Sequence, residues 1–339
     1  MIRAPRPGIC DRGHTNAPPA SRLGYTRPTP PARFPTVIPS RLCRSWLFVP
    51  GADEPALAAA AASGADVLIQ ELEDFTPPAR RAQARMLAPG VFAAWRTAGA
   101  VVAVRVNPLD GDGIDDLAAV MRGAPDIVAL PKVAEPDQVR WLDSEVARFE
   151  RDCGIAIGST RLLPNIEFAR GLVQAVAIAR SSPRVDACLL ASEDLAADLG
   201  AERGRDGIEL AYARQRFLVD CVAAGVVAVD APYTWRDAEG VERDTRWARR
   251  LGYRAKSLVD TAHVAIVNRV LTPSAEDVAH ATRLIAAFES ARERGEPRAE
   301  LDGSLVEVPA WRNAQRLLAR AAELADAHPT PAARRSGRQ

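Results

Sequence analysis

Lysine is almost missing from this chain: Lys132 and Lys256 stand alone among 44 lysine and arginine residues. Chance survival in an arginine-biased sequence and a need for a compact ammonium, which arginine's planar fork does not replace, are both open readings of the pair. Cysteine is sparse as well. Cys10, Cys43, Cys153, Cys188 and Cys221 show no CxxC and no zinc-type spacing, and an odd, scattered set reads as reduced thiols of a cytoplasmic protein. No run approaches the roughly 18–20 apolar residues of a membrane span, and no secretory apolar region is visible. The formal net charge is only +1, which removes the electrostatic case for a nucleic-acid or membrane partner.

What is present is an ordinary globular composition, 47% apolar and 26% charged over 339 residues, with ample chain to bury a core. Residues 1–40 are rich in Pro and Arg, hold one acid (Asp11) and show no periodicity. They read as a disordered, dispensable tail; the composition also mimics an organellar transit peptide, without its amphipathic helix. From Ser45 onward short apolar runs alternate with longer helical patterns. The runs begin near Ser45, Val67, Val101, Asp126, Arg161, Val185, Gly225 and Arg254. Eight strand–helix pairs in series is the count of a (β/α)8 TIM barrel, assigned to residues 41–272. An open doubly wound sheet is the alternative, but Val49-Pro-Gly-Ala-Asp53 lacks the Gly-rich phosphate turn that such a sheet carries after its first strand. A C-terminal extension, 273–327, reads as a long helix from Ser274, a hairpin turning at Asp302-Gly303, and a final helix from Pro309, before a frayed tail at 328–339.

In this fold the chemistry sits where strands end. Leu162-Leu-Pro-Asn-Ile-Glu167 ends in one acid, and Ala187-Cys-Leu-Leu-Ala-Ser-Glu-Asp194 ends in two. We expect Glu167 and Asp194 to face each other across the barrel mouth and share one divalent cation, although each acid also suits the N-terminus of the helix that follows it. Glu71, Glu73, Asp74, Arg105, Asn107, Lys132, Asn165, Asp230, Lys256 and Asp260 also fall near strand ends. A set this rich in oxygen, with no histidine or cysteine nucleophile, favours Mg²⁺. A Lewis acid beside Arg105, whose guanidinium clamps a carboxylate, suits breaking a C–C bond next to a carbonyl. A Schiff base on Lys132 or Lys256 is the rival chemistry.

Arg44-Ser-Trp-Leu-Phe-Val-Pro-Gly51, Glu71-Leu-Glu-Asp74, Val104-Arg-Val-Asn107, Leu130-Pro-Lys-Val133, Leu163-Pro-Asn-Ile-Glu167 and Ser192-Glu-Asp-Leu-Ala-Ala-Asp-Leu-Gly200 occur in order. Together they resemble the citrate lyase β-subunit-like branch of the HpcH/HpaI aldolase family, from about Arg41 to Ala325. The resemblance implies a TIM barrel, a homotrimer or hexamer, and Mg²⁺-dependent cleavage or formation of β-hydroxyacyl-CoA thioesters such as citryl-CoA and malyl-CoA. It implies that Glu167 and Asp194 bind the metal and that Arg105 grips the substrate carboxylate. Glu307 takes the place of the acid that reaches a neighbouring subunit as acid/base. Glu71 joins Arg105 and Glu307 as a catalytic candidate; Asn107, Lys132, Glu73 and Asp74 are substrate-binding candidates, and Arg44 and Arg81 are candidates for the CoA phosphates.

Four departures from the family pattern stand out. Glu71 replaces the first Asp of Asp-Leu-Glu-Asp, and Glu307 replaces the C-terminal Asp. Ala191 replaces the Gly of Gly-x-Glu-Asp, and the eighth strand keeps Lys256 but loses its His-Pro pair, reading Val259-Asp-Thr261 there. They leave open a thioesterase or malate-synthase-like condensation at the same site, and a subunit that works only in a larger lyase complex.

Overall fold

The computed structural model describes residues 38–296 and 298–328; the tails read at 1–40 and 328–339 lie almost wholly outside them. Strands β1 (Ser45–Pro50), β2 (Val67–Glu71), β3 (Val101–Arg105), β4 (Ile127–Leu130), β5 (Arg161–Ile166), β6 (Ala187–Leu190), β7 (Val227–Asp230) and β8 (Ala255–Leu258) are parallel and follow chain order around a closed barrel. Closure is made by β8 pairing onto β1, with Lys256 opposite Ser45. Helices α1 (Glu54–Ala60), α2 (Arg81–Thr97), α3 (Gly113–Val120), α4 (Pro136–Asp152), α5 (Ala169–Val173), α6 (Ala175–Ala179), α7 (Ser192–Leu199), α8 (Ala211–Ala224), α9 (Ala238–Leu251) and α10 (Val264–Leu271) connect the strands. The expected alternation is therefore present. The strands are shorter than the apolar runs, because the last residues of most runs leave the ladder and become the loops of the mouth.

Local chemistry sets the helix ends. Asp53 accepts from the Ala56 N–H at the start of α1, and Glu135 with Gln138 forms a capping box ahead of Pro136, each satisfying donors that an α-helix leaves free. The single helix expected to reach Arg180 after the fifth strand is instead two pieces, α5 and α6, broken at Gln174. A Cβ at Gly171 would lie 2.3 Å from the Val133 carbonyl oxygen, so α5 lies hard against the loop after β4. Gln174 sits at the break and donates its side-chain amide to the Ala134 carbonyl.

Alternation along each strand divides the core. Trp46, Phe48, Ile69, Ala103, Ala129, Leu163, Leu189 and Val229 fill the lumen. Leu47, Leu68, Val102, Val128, Cys188 and Leu258 face outward and pack with Phe92, Trp95 and Phe217 of the helices. The same parity turns Asp230 and Lys256 outward, away from the mouth where their strand-end positions had placed them. Lys256 Nζ meets Asp230 at 2.7 Å and Asp244 at 2.6 Å, and Arg214 meets the same two acids at 2.6 and 2.7 Å. The result is a closed, charge-balanced square between β7, β8, α8 and α9.

The extension is built from α11 (Ala275–Glu293), the hairpin β9 (Ala299–Leu301) and β10 (Ser304–Val306), and α12 (Val308–Ala327). Phe288 stacks on Trp311 with ring centroids 5.3 Å apart. Arg320 of α12 donates to the carbonyls of Arg41 and Arg254, and Glu323 pairs with Arg41. Arg41 and Arg254 precede β1 and β8, so α12 packs on the end of the barrel opposite the mouth. Among the described residues no helix is long and apolar enough to cross a membrane.

Burial alone would raise the Asp244 carboxyl, but Lys256 and Arg214 hold it down at about 2, against an ordinary 3.8. A depressed carboxylate contributes stability that is complete above its unfolded pKa and is lost as pH falls through the folded value. Asp244→Asn is expected to lower stability at pH 7 by about 3–5 kcal/mol, because it leaves two buried cations with one acid. In denaturant titrations the gap between variant and wild type should close as pH falls from about 4 to about 2; a gap that does not change with pH would contradict the assignment.

Candidate active site

Arg105 is the last residue of β3, and strand parity points it into the lumen. It is buried, and its guanidinium is shared by three carboxylates: Nε donates to Glu71 at 3.0 Å, Nη2 lies 3.3 Å from Glu73, and Nη1 lies 3.6 Å from Glu167. Its Cζ also sits 5.0 Å from the Phe48 ring centroid and 5.7 Å from that of Phe75, a cation–π arrangement that stiffens the group without neutralising it. A buried cation demands such partners.

Glu71 ends β2 beside Arg105. Besides Arg105, its carboxylate accepts from the backbone N–H groups of Glu73 and Phe75, both at 2.6 Å. Gly51 packs beneath this turn: its N–H donates to the Glu71 carbonyl, and a Cβ there would come within 2.4 Å of that oxygen. Glu71 is thus engaged in shaping the loop and aiming Arg105. Asn107 is engaged in the same way: its side-chain amide donates to Leu72 and Asp116 and braces the β3 loop.

Lys132 follows β4 with φ +55°, a left-handed backbone that costs a non-glycine residue about 1–3 kcal/mol. Its ammonium bonds Glu73 and approaches Asp74 at 3.3 Å. Burial would lower its pKa, but these acids outweigh that and hold it raised. Burial pushes Glu73 up despite Arg105 and Lys132.

Glu167 is the outlier. It is fully buried, and neither carboxylate oxygen has a hydrogen-bond partner. Burial, with the charges of Asp194 and Glu73, pushes it up to about 7 in spite of Arg105. Asp194, in the first turn of α7, lines the cleft close enough for its charge to act on Glu167. Its neighbour Glu193 is engaged elsewhere: burial would raise Glu193, but Arg203, Thr234 and Ser192 hold it below the usual range. Five carboxylates (Glu71, Glu73, Asp74, Glu167, Asp194) therefore surround two cations, and the mouth is short of positive charge. Among the described residues no group of three or more His, Cys, Asp and Glu side chains is arranged as a metal cage. Two hard oxygen donors with open positions between them suit Mg²⁺, which keeps waters and substrate oxygens.

A cleft of about 300 Å³ opens over this set, lined by Phe48, Asp74, Phe75, Arg105, Ser192, Asp194, Thr234 and Ser257. Asn165, one inward step below Glu167 on β5, is buried with both side-chain polar atoms unpartnered. The sequence placed Asn165 at a strand end without assigning it a role, and its inward parity with Leu163 and Glu167 was the signal for one; Ser257 and Thr234 carried no such signal.

Other expected residues lie elsewhere. Arg44 precedes β1 at the far end of the barrel, where Asp66 holds it at 2.9 Å and Thr272 accepts from it, so it is removed from any CoA site at the mouth. Arg81 opens α2 on the mouth side and pairs with Asp112 at 3.0 Å. Glu307 precedes α12 on the extension, exposed and without a side-chain hydrogen bond or ion pair among the described residues.

Residues 44–261 match the sequence profile described as HpcH/HpaI aldolase/citrate lyase. The chain belongs to that family of carbon–carbon lyases. It is 34% identical over 283 residues to the citrate lyase subunit beta of Leuconostoc mesenteroides subsp. cremoris, covering 82% of this chain and 93% of that one. It is 30% identical over 284 residues to a (3S)-malyl-CoA thioesterase of Cereibacter sphaeroides, covering 83% and 95%. The CitE protein of Mycobacterium tuberculosis, crystallised with magnesium, acetoacetate and coenzyme A, superimposes with a TM-score of 0.66 at 28% identity, covering 83% of this chain and 99% of that one.

The two lysines argue against the rival Schiff-base chemistry. Lys256 is locked between Asp230 and Asp244 outside the lumen, and Lys132 is held charged, whereas an amine must be neutral to attack a carbonyl. Incubation with a keto acid and sodium borohydride is expected to leave the intact mass unchanged. A reduced adduct on either lysine would overturn this.

Proposed function

We propose that the chain is a Mg²⁺-dependent lyase for a β-hydroxyacyl-CoA thioester of the citryl-CoA or malyl-CoA type, releasing acetyl-CoA or propionyl-CoA and a keto acid. The observation that carries this reading is Glu167, a buried carboxylate with both oxygens unpartnered, beside Asp194 and the clamped Arg105. Glu167 and Asp194 are the residues that would hold the metal. Bound there, Mg²⁺ supplies Lewis-acid polarisation of a substrate oxygen. Arg105 receives the substrate's free carboxylate through its fork, held in direction by Glu71 and Glu73. Phe48, Phe75 and Leu189 give the cleft an apolar wall against which the thioester end would lie, and a site dried by bound substrate strengthens each charge interaction.

Cleavage begins when a base takes the β-hydroxyl proton. The C–C bond then breaks, its electron pair passes to the thioester as an enolate, and the enolate is protonated at carbon. Within the chain Glu307 is exposed and unpartnered, consistent with Glu307 of the partner subunit acting as that base in a trimer or hexamer. Arg81, and a hollow of about 310 Å³ bounded by Pro108, Lys132 and Trp141, offer cationic and apolar surface for the CoA tail. Four free thiols among the described residues accord with a cytoplasmic location.

The 30% identical malyl-CoA thioesterase and the departure at Glu307 favour a second reading, in which water attacks the thioester at the same site. The first reading is tested with purified protein on malyl-CoA and citryl-CoA, with Mg²⁺ and with EDTA. Metal-dependent acetyl-CoA plus keto acid is the expected product pair; free CoA with intact malate would replace lyase by thioesterase, and turnover only with added partners would make the chain a lyase subunit. Glu167→Gln is expected to remove Mg²⁺ binding in calorimetry and lower kcat/KM at least about 100-fold. In EDTA its Tm should match or exceed that of wild type, because a buried carboxylate that accepts no hydrogen bond is removed while Arg105 keeps Glu71 and Glu73.

A further inference from the structure

The largest cleft among the described cavities, about 1120 Å³, lies at the end of the barrel opposite the mouth, between α9, α10 and the extension. Six arginines line it: Arg249, Arg250, Arg254, Arg283, Arg316 and Arg320. Two are answered by acids of α11 and the hairpin, Arg249 by Asp277 at 2.7 Å and Arg283 by Asp302 at 3.3 Å. The other four have no carboxylate within ion-pair distance among the described residues. Arg254 donates only to the carbonyls of Tyr253 and Arg249, and Arg320 only to those of Arg41 and Arg254. Arg320 Nε is buried without a partner. The remainder of the chain holds a single acidic side chain, Asp11, and so has little with which to neutralise them.

The crowding has an electrostatic signature. Burial and Arg249 push Arg254 down, and burial, Arg254 and Arg44 push Arg320 down to about 10. Like charges gathered in a recess, with the exposed guanidinium groups of Arg250 and Arg316 free of side-chain hydrogen bonds among the described residues, form a receptor for oxyanions. The volume lies just above the range of small-molecule sites, roughly 300–1,000 Å³, and so leaves room for a ligand of nucleotide size.

We propose that this cleft binds a phosphate-bearing small molecule of nucleotide size, at a site separate from the metal and carboxylate chemistry of the mouth. The ligand would bridge the barrel (Arg250, Arg254) and α12 (Arg316, Arg320), and so tie the extension that carries Glu307 to the barrel.

The test is calorimetry of the full chain with pyrophosphate, ATP and CoA at low ionic strength, on wild type, on Arg250→Gln/Arg316→Gln, and on Glu167→Gln. Arg250 and Arg316 carry no acidic partner, so their loss should leave the fold and Tm unchanged. Saturable binding of pyrophosphate or ATP, weakened at least about tenfold in the double arginine variant and unaltered in Glu167→Gln, is the expected result. ATP against pyrophosphate separates a nucleotide site from a bare phosphate site. No saturable binding of any probe overturns the proposal. So does binding that survives the arginine changes, or an oligomer that dissociates when they are made, which would assign the arginines to an acidic surface of a second copy.

Discussion

One buried guanidinium organises the mouth of this barrel. Arg105 is placed in the lumen by the parity of β3, and a cation cannot remain there without anions. Glu71 and Glu73 answer it from the end of the neighbouring β2, and Glu167 from the end of β5. Each of the first two is in turn fixed, Glu71 by backbone donors of its own loop and Glu73 by Lys132. The left-handed backbone at Lys132 is tolerated because the ion pairs define where its ammonium must lie. Arg105 thereby keeps a fixed direction while its charge is distributed over more acids than it can satisfy. Glu167 is the acid left short, with neither carboxylate oxygen hydrogen-bonded.

The two ends of the barrel are opposite in character. The mouth gathers carboxylates beyond its cations. The other end, where α12 packs, gathers guanidinium groups beyond its acids. Between them, the square of Lys256, Asp230, Arg214 and Asp244 is balanced and closed, which is how a buried charge cluster remains structural. Imbalance separates the surfaces that are free to bind from the one that holds the fold together, and a net charge of +1 over the whole chain conceals it.

The barrel was legible because its pattern is periodic. Eight apolar runs, each followed by a helical pattern, leave little choice of topology, and strand ends in such a fold form one face. Glu167, Asp194, Arg105, Glu73, Asp74 and Lys132 could therefore be drawn to one place before any coordinates. Asn107 and Glu71 lie there too, but the contacts they make were not legible. Which hydrogen bonds a side chain has already made depends on the Leu72 carbonyl, the Phe75 N–H and Asp116, groups that spacing does not reveal. Arg44 and Lys256 were misplaced for geometric reasons: one precedes its strand, and the other sits on the outward parity of β8.

The sequence by itself determined the order of strands and helices, the (β/α)8 class and the family, because alternation and motif order are properties of the chain read in one dimension. Only the tertiary structure decided that Glu167 is left unpartnered while Glu193 is capped, that Asn165 points unsatisfied into the lumen, and that arginines from α9 and α12 share one recess. Those facts depend on which groups meet across the barrel and how much water reaches them, and burial and proximity in three dimensions set the charge state and availability of a side chain.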